Sequence, residues 1–119
     1  MATIDPKFDT TIPGVPRVIW EGAVTGDTLN PFTLKQQYGL AGSVQAVGTF
    51  GGATVGIQIS NDGTNWATPK DIQSNDIAMT TATGYHELSL SGAYIRPTLT
   101  SGSGNDIDII LVLRGSSVL

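Results

Sequence analysis

The feature that most constrains the fold is residues 55–66, V-G-I-Q-I-S-N-D-G-T-N-W. Apolar residues alternate with Gly, Gln and Ser over its first half, which is the period of a half-buried β-strand. Asn61-Asp62-Gly63 then favours a sharp reversal, because glycine accepts a positive φ and the Asn and Asp side chains can bond to nearby backbone. Trp66 follows as a large anchor that can fold back on the core. The stretch therefore predicts a hairpin, around which we expect further strands to assemble.

The rest of the chain repeats this pattern of short alternating runs separated by turn residues. Fifteen glycines, many Ser and Thr, and little Lys, Glu or Leu favour strands and turns over helices. The runs recur at intervals of roughly ten residues, which is typical of an antiparallel sandwich. We therefore predict an all-β protein: an antiparallel β-sandwich or jelly roll of about seven to eight short strands with an extended N-terminal arm. The predicted strands lie within residues 17–22, 43–50, 55–60, 85–90, 93–100 and 107–114, with one more in each of 28–38 and 71–83.

Two connections between these strands are predicted in more detail. Residues 43–60 are expected to form one hairpin that turns at Gly51-Gly52, and the stretch to Trp66 extends it into a meander. Within residues 28–38, Asn30-Pro31 could begin a short helix, whereas residues 32–34 could form an edge strand that starts after the proline. Strand and loop are favoured there because the surroundings are β throughout.

The first sixteen residues differ from the rest, since they contain Pro6, Pro13 and Pro16. Proline removes a backbone donor and disfavours helix at the preceding residue. We therefore divide the chain into an extended N-terminal arm, residues 1–16, and a single β-sandwich domain, residues 17–119. The arm is either a frayed terminus or a segment that docks on a neighbouring subunit. Its candidate contact residues are the apolar Ile4, Phe8 and Ile12.

The last predicted strand is apolar on both faces near its middle. Ile109 and Leu111 share one face with Ile107 and Leu113, and Ile110 and Val112 lie on the other. Burial between two layers would explain this second pair, and so would a subunit interface. Ile110 and Val112 are therefore further candidates for contact with another subunit.

Charge and composition exclude several classes of function. The net charge is −4 and the six basic residues are dispersed, so a nucleic-acid partner is not expected. The longest apolar run, residues 109–113, is too short to span a bilayer, and no membrane partner is expected. The N-terminus lacks the basic start and apolar stretch of a signal peptide, which predicts synthesis in a cytoplasm without export. With no cysteine, disulfides and thiolate metal sites are excluded.

Residues that could carry chemistry are few. His86 is the single histidine, so it has no second imidazole or thiol with which to form a metal site or a nucleophile–base pair. The acidic turns at residues 61–65 and 105–108 offer oxygens for calcium but few closely spaced charges, and turn chemistry explains both. No catalytic residue, metal or cofactor is predicted, and the chain is not expected to be an enzyme. Exposed rings leave one binding alternative, a sugar-stacking platform formed by Trp66, Tyr85 and Tyr94, with core packing as the competing explanation.

Two resemblances to known families rest on the residues above. The run Ser60-Asn61-Asp62-Gly63-Thr64-Asn65-Trp66 resembles the S-x-D-G-x-x-W motif of discoidin-type (factor 5/8 C-type) sandwiches, which implies binding of sugars or lipid head groups. A longer ordered set is similar to small β-sandwich structural proteins of tailed bacteriophages. That set comprises Trp20-Glu21-Gly22, Gly26-Asp27-Thr28, Ser43-Val44-Gln45, residues 48–53, residues 60–66, Tyr94-Ile95-Arg96-Pro97 and Leu111-Val112-Leu113-Arg114.

The phage resemblance implies a virion component, most specifically a capsid decoration (cement) protein. Such a protein would be made in the host bacterial cytoplasm and would lie on the outer capsid surface as a homo-oligomer, with a trimer favoured. Its partner would be the major capsid protein, whose neighbouring subunits it would bridge. The alternative is a carbohydrate-binding β-sandwich module that recognises glycans. The resemblance brings no catalytic residues and no cofactor.

Overall fold

The computed structural model describes residues 2–13, 15–34 and 41–114, and these residues form strands and turns with no helix. The prediction of an all-β fold is therefore confirmed. Ten strands are present in this part of the chain, because the arm and residues 28–33 contribute short strands beyond the number expected. The strands are β1 (Thr3–Ile4), β2 (Lys7–Asp9), β3 (Arg17–Ala23), β4 (Thr28–Leu29), β5 (Phe32–Thr33), β6 (Ala41–Thr49), β7 (Thr54–Ser60), β8 (Tyr85–Ser89), β9 (Tyr94–Thr100) and β10 (Asp106–Arg114).

Two antiparallel sheets enclose the core. One has five strands in the order β2-β3-β10-β6-β8, and the other has three in the order β5-β9-β7. A short parallel pair, β1-β4, closes one side, where Leu29 is buried and Ile4 packs against the core. The molecule is compact, with a Cα radius of gyration of 13.5 Å. This arrangement agrees with the predicted β-sandwich.

The central strand of the larger sheet is β10, which pairs with β3 on one side and β6 on the other. Its alternate residues from Ile107 to Leu113 are fully buried, as their spacing predicted. Val18 and Trp20 of β3 share the same buried face, as the period of two predicts for that strand as well. The indole Nε1 of the buried Trp20 donates to the carbonyl of Asn30 at 2.8 Å. Trp20 therefore also stabilises the position of the chain after β4.

The predicted hairpin of residues 43–60 is wrong. β6 pairs with β10 and β8, whereas β7 pairs with β9 in the other sheet. The turn at Gly51-Gly52 therefore carries the chain from one layer to the other. Phe50 and Ala53, on either side of this turn, are both buried between the layers. Alternation places each strand's apolar face but does not specify its partner, and here burying these two residues requires a crossing between sheets.

The reversal predicted within residues 55–66 is present in a reduced form. Ile59 and Ala67 exchange two backbone hydrogen bonds of 2.9 Å, which closes a seven-residue turn at the end of β7. The returning chain forms a single bridge pair and no full strand. Residues 71–83 are the expected long connection, and their expected short strand is reduced to two isolated bridge pairs, Met79 with Val55 and Asp76 with Lys70.

The strand alternative for residues 28–38 is confirmed for the part that is described. β4 and β5 are both extended, and β5 begins directly after Pro31 as an edge strand paired with β9. Residues 35–38 of this prediction lie outside the described residues.

The N-terminal arm is extended but lies on its own chain. β1 runs parallel to β4, and β2 pairs with β3. Side chains reinforce both pairings: the Ala2 amide donates to Asp27 Oδ1 at 2.9 Å, and Arg17 Nε donates to Asp9 Oδ2 at 2.8 Å. The arm is therefore not frayed over β1 and β2. Contact with a neighbouring subunit stays a prediction.

Candidate interaction surface

The five-stranded sheet has a face that points away from the core, which we call the outer face. The pairing of its strands brings side chains from all five strands into rows across this face. No strand of the described residues covers it, because the three-stranded sheet and the β1-β4 pair both pack on the core side. One row is Lys7, Ile19, Ile110, Gln45 and Tyr85, and the next is Asp9, Arg17, Val112, Ser43 and Glu87.

Half-buried aliphatic side chains gather at the middle of the outer face. Ile110 and Val112, both predicted as contact residues, lie on β10, and Ile19 is beside them on β3. Val47 of β6 is aligned with Asp108 one row away. We call these four residues the aliphatic strip. Ile19 and Val47 are not among the contact residues predicted from the sequence. Each one directly follows a buried residue of its strand, Val18 or Ala46, so strand alternation predicts that both point to the outer face.

Ion pairs flank the strip on the β2 side. Lys7 Nζ lies 2.5 Å from Glu21 Oε1, and this hydrogen-bonded carboxylate raises the pKa of Lys7. Arg17 pairs with Asp9 and, chiefly through its hydrogen bond, lowers the pKa of that carboxyl. These four charges neutralise one another within the chain. The β2 side of the outer face is therefore close to electrically neutral.

The three arm candidates do not lie on the outer face. Ile4 is half-buried against the core. Phe8 is aligned with the inward-facing Val18 and stacks on Phe32, with ring centroids 6.1 Å apart, yet 44% of it stays exposed at the side of the sandwich. Ile12, in the turn after β2, is 45% exposed. The arm candidates are therefore separate from Ile110 and Val112, which lie on the outer face.

The three candidate sugar-stacking rings are not brought together. Trp66 lies in the turn after β7 with the guanidinium of Arg96 4.0 Å from its ring centroid, a cation–π contact that occupies one ring face. Tyr94 belongs to the same region, since its ring lies beside Gly63. Tyr85 is on β8 of the other sheet and is 54% exposed.

The turn after β7 is organised around one carboxylate. Asp62 accepts hydrogen bonds from the amides of Thr64 and Asn65 and from the Asn65 side chain, each at 2.8 Å, and one from Ser60 Oγ at 3.0 Å. These donors hold the pKa of Asp62 far below its usual range, with the Asn65 amide contributing most. A groove of about 350 Å³ lies beside the turn. The oxygens of Asp62 that could have bound calcium are thus engaged by the turn itself.

His86 lies on the inner side of the β8 edge, where its ring contacts the carboxylate of Asp71. Its Nδ1 lies 2.8 Å from Asp71 Oδ2, and the hydrogen bond to His86 is the main reason that the pKa of Asp71 is lowered. Within the described ranges, no three His, Asp or Glu side chains converge in a way that could hold a metal ion. None of the described segments is a helix of the length and hydropathy needed to cross a bilayer.

Comparison of the chain with known protein families, with curated proteins and with solved structures finds no match. The function is therefore argued from the surfaces of the sandwich and from the motif resemblances.

Proposed function

We propose that the chain is a structural protein of a tailed-phage virion, a capsid decoration protein that binds the outer capsid and stabilises contacts between major capsid subunits. The observation that carries this proposal is the outer face, where the aliphatic strip lies on an antiparallel sheet beside internally neutralised charges. Uncovered aliphatic side chains on a rigid sheet suit docking on another protein. The motif resemblance to phage β-sandwich proteins points to the capsid as that protein.

The proposed mechanism is additive. Each copy makes a modest contact through the aliphatic strip, and many copies on a repeated lattice stabilise the shell without one tight site. Phe8, exposed at the side of the sandwich, and Ile12, exposed in the turn after β2, are the proposed contacts between copies in a homo-oligomer, with a trimer favoured. The role requires no catalytic residue and no cofactor. It places the protein on the outside of the virion after synthesis in the host cytoplasm.

The test is co-sedimentation of the purified protein with empty capsids of the phage that encodes it. Ile110→Lys should remain folded, since a lysine stem can lie along the sheet with its ammonium in water, but should bind at least about tenfold more weakly. Thr100→Lys adds the same charge at an exposed site on the three-stranded sheet and should bind like the wild type.

Two results would contradict the proposal at different levels. A wild-type protein that never sediments with the capsids would refute the decoration role. Wild-type binding that Ile110→Lys leaves unchanged would keep that role and remove the outer face as the docking surface.

A glycan-binding module is the second candidate, favoured by the groove beside the turn after β7. Asn61 and Asn65 line this groove and carry amides that can hydrogen-bond sugar hydroxyls, and Trp66 follows Asn65 in the chain. A glycan array gives the test. Binding that Trp66→Ala abolishes would support this candidate, and a blank array at high protein concentration would count heavily against it.

A further inference from the structure

Most acidic side chains of this protein are already engaged within the chain. Each one accepts a hydrogen bond or forms an ion pair with another part of the protein, except Glu87 and Asp106, for which the described residues provide no partner. Both exceptions are exposed. Only Glu87 combines its carboxylate with an exposed ring on the same face, because Tyr85 precedes it by two residues on β8.

The surface around Glu87 is shaped as well as charged. Tyr85 and Glu87 both line two adjoining depressions, of about 220 and about 350 Å³. The smaller depression continues over the loop that carries Ile72, and the larger runs along β6 past Ser43. We call this region, Ile72, Tyr85 and Glu87 with the two depressions, the β8 site.

Ile72 is presented to solvent in a fixed position. It is 61% exposed, yet its amide donates to the Glu87 carbonyl at 2.9 Å. The preceding Asp71 holds the loop from within, because its carboxylate accepts the amides of Gln73 and Asn75 at 2.9 Å and also binds His86. Because the loop backbone is held in this way, little backbone entropy is lost when a partner covers Ile72.

The chain supplies no spare cation for this site from the side chains that the structure describes. Lys7 pairs with Glu21, Arg17 with Asp9 and Lys70 with Asp76, while Arg96 lies over Trp66. Among its described side chains, a second copy would bring the same engaged cations, and it would also bring the same net charge of −4. Charge complementarity therefore favours a different protein as the occupant.

We propose that the β8 site binds a basic side chain, Lys or Arg, on an extended segment of a partner protein. The Glu87 carboxylate would pair with the cation, the Tyr85 ring would lie against it, and Ile72 would cover neighbouring apolar atoms of the segment. The site continues the row that contains Ile19 and Ile110, so it lies at one end of the outer face. The inference rests on the proposed function in one respect: it assigns a basic chemistry to the capsid surface that this face would meet.

The test uses short peptides and does not depend on capsids. Blocked peptides of sequence Thr-Val-Lys-Val-Thr, and the versions with Arg or Glu at the centre, are titrated into ¹⁵N-labelled protein at up to about 5 mM, which covers a millimolar affinity. We expect amide shifts at residues 41–43, 71–73 and 85–87 with the Lys and Arg peptides, weakening as salt is raised. The Glu peptide should produce none.

A matched pair of variants identifies the carboxylate. Glu87→Gln should weaken binding of the Lys peptide about three- to tenfold, which is the range expected for one exposed ion pair with a cation–π contact. Asp106→Asn removes the same charge from the other unpartnered acid and should bind like the wild type. Absent shifts, equal shifts with the Glu peptide, or equal losses in the two variants would each overturn the proposal.

The capsid assay separates this inference from the proposed function. If the protein binds the peptides at the β8 site but does not bind capsids, the decoration role is refuted and the basic partner is another protein. If the protein binds capsids but not the peptides, the decoration role is supported and the proposed binding of a basic side chain at the β8 site is refuted.

Discussion

At the scale of single residues, Gly51 shows why one position between the two layers requires glycine. Its φ is +57°, and a Cβ built there would lie 2.1 Å from the carbonyl oxygen of Ser103. The Ser103 amide donates back to the Gly51 carbonyl at 3.0 Å, so the two turns are in close contact. Gly104 also has a positive φ, +64°, but nothing lies within 4 Å of its Cβ position.

These two glycines allow backbone strain to be separated from crowding. Gly104→Ala should cost about 1 kcal/mol of unfolding free energy, because a left-handed φ is strained for alanine. Gly51→Ala should cost about 1–3 kcal/mol more, because the added methyl group must displace backbone of the facing turn. Urea unfolding followed by circular dichroism measures both. Equal losses for the two variants would show that the turns separate easily.

Prediction of burial from the sequence succeeded where apolar residues recur at every second position along one strand. The burial of Val18 and Trp20, and of alternate residues in β10, follows from that period alone. The pairing of His86 with Asp71 could not be predicted in this way, because the two residues are 15 apart in the sequence and meet only when the loop folds against β8. The β8 site depends on that contact, so it became visible only in the structure.

At the scale of elements, β10 carries two adjacent isoleucines with different roles. Ile109 is fully buried, whereas Ile110 is half-buried on the outer face. Ile109→Ala should lower the unfolding free energy by about 2–5 kcal/mol through a core cavity. Ile110→Ala should cost about 1 kcal/mol or less.

The urea midpoints of the two single variants provide the comparison, because the same atoms are removed from neighbouring positions. Similar losses would mean that the outer face is covered in solution. A self-associated protein would give that result, and its midpoint would then depend on protein concentration.

The error in strand pairing also belongs to this scale. Residues 43–60 have the alternation and the Gly51-Gly52 turn of a hairpin, yet β6 and β7 belong to different sheets. A hairpin and a crossing between layers begin with the same local signals. A crossing differs from a hairpin here because Phe50 and Ala53 are buried between the two layers. The strands that form those layers come from both ends of the chain. The fold class could therefore be predicted from the sequence, while the strand order could not.

At the scale of the whole molecule, the response to acid is set by carboxylates that the fold engages. Hydrogen bonds lower the pKa of each below the ordinary value of 3.8, so the unfolded chain takes up protons first as the pH falls. Their stabilisation is complete above that value and is lost as the pH falls through the lowered values. The groups concerned are Asp9, Asp27, Asp62, Asp71 and Asp76.

The predicted result is a urea midpoint that is higher at neutral pH than in acid, with the decline starting below pH about 4. Asp62→Asn removes the group with the largest set of donors, so its decline in acid should be shallower than that of the wild type. A midpoint that does not change with acid, or an identical slope in the variant, would contradict this reasoning. Glu87→Gln is a suitable control, because no donor among the described residues is hydrogen-bonded to the Glu87 carboxylate.

The position of β10 has a consequence for how the protein emerges from the ribosome. β3 and β6 are not neighbours in the five-stranded sheet, and β10, which is translated after the other four described strands of this sheet, fills the gap between them. Until it leaves the exit tunnel, the nascent chain holds two halves of a sheet whose facing edges are unsatisfied. Closure of the sheet must therefore wait for the last strand, and during that interval those edges are the part of the chain that a chaperone would have to shield.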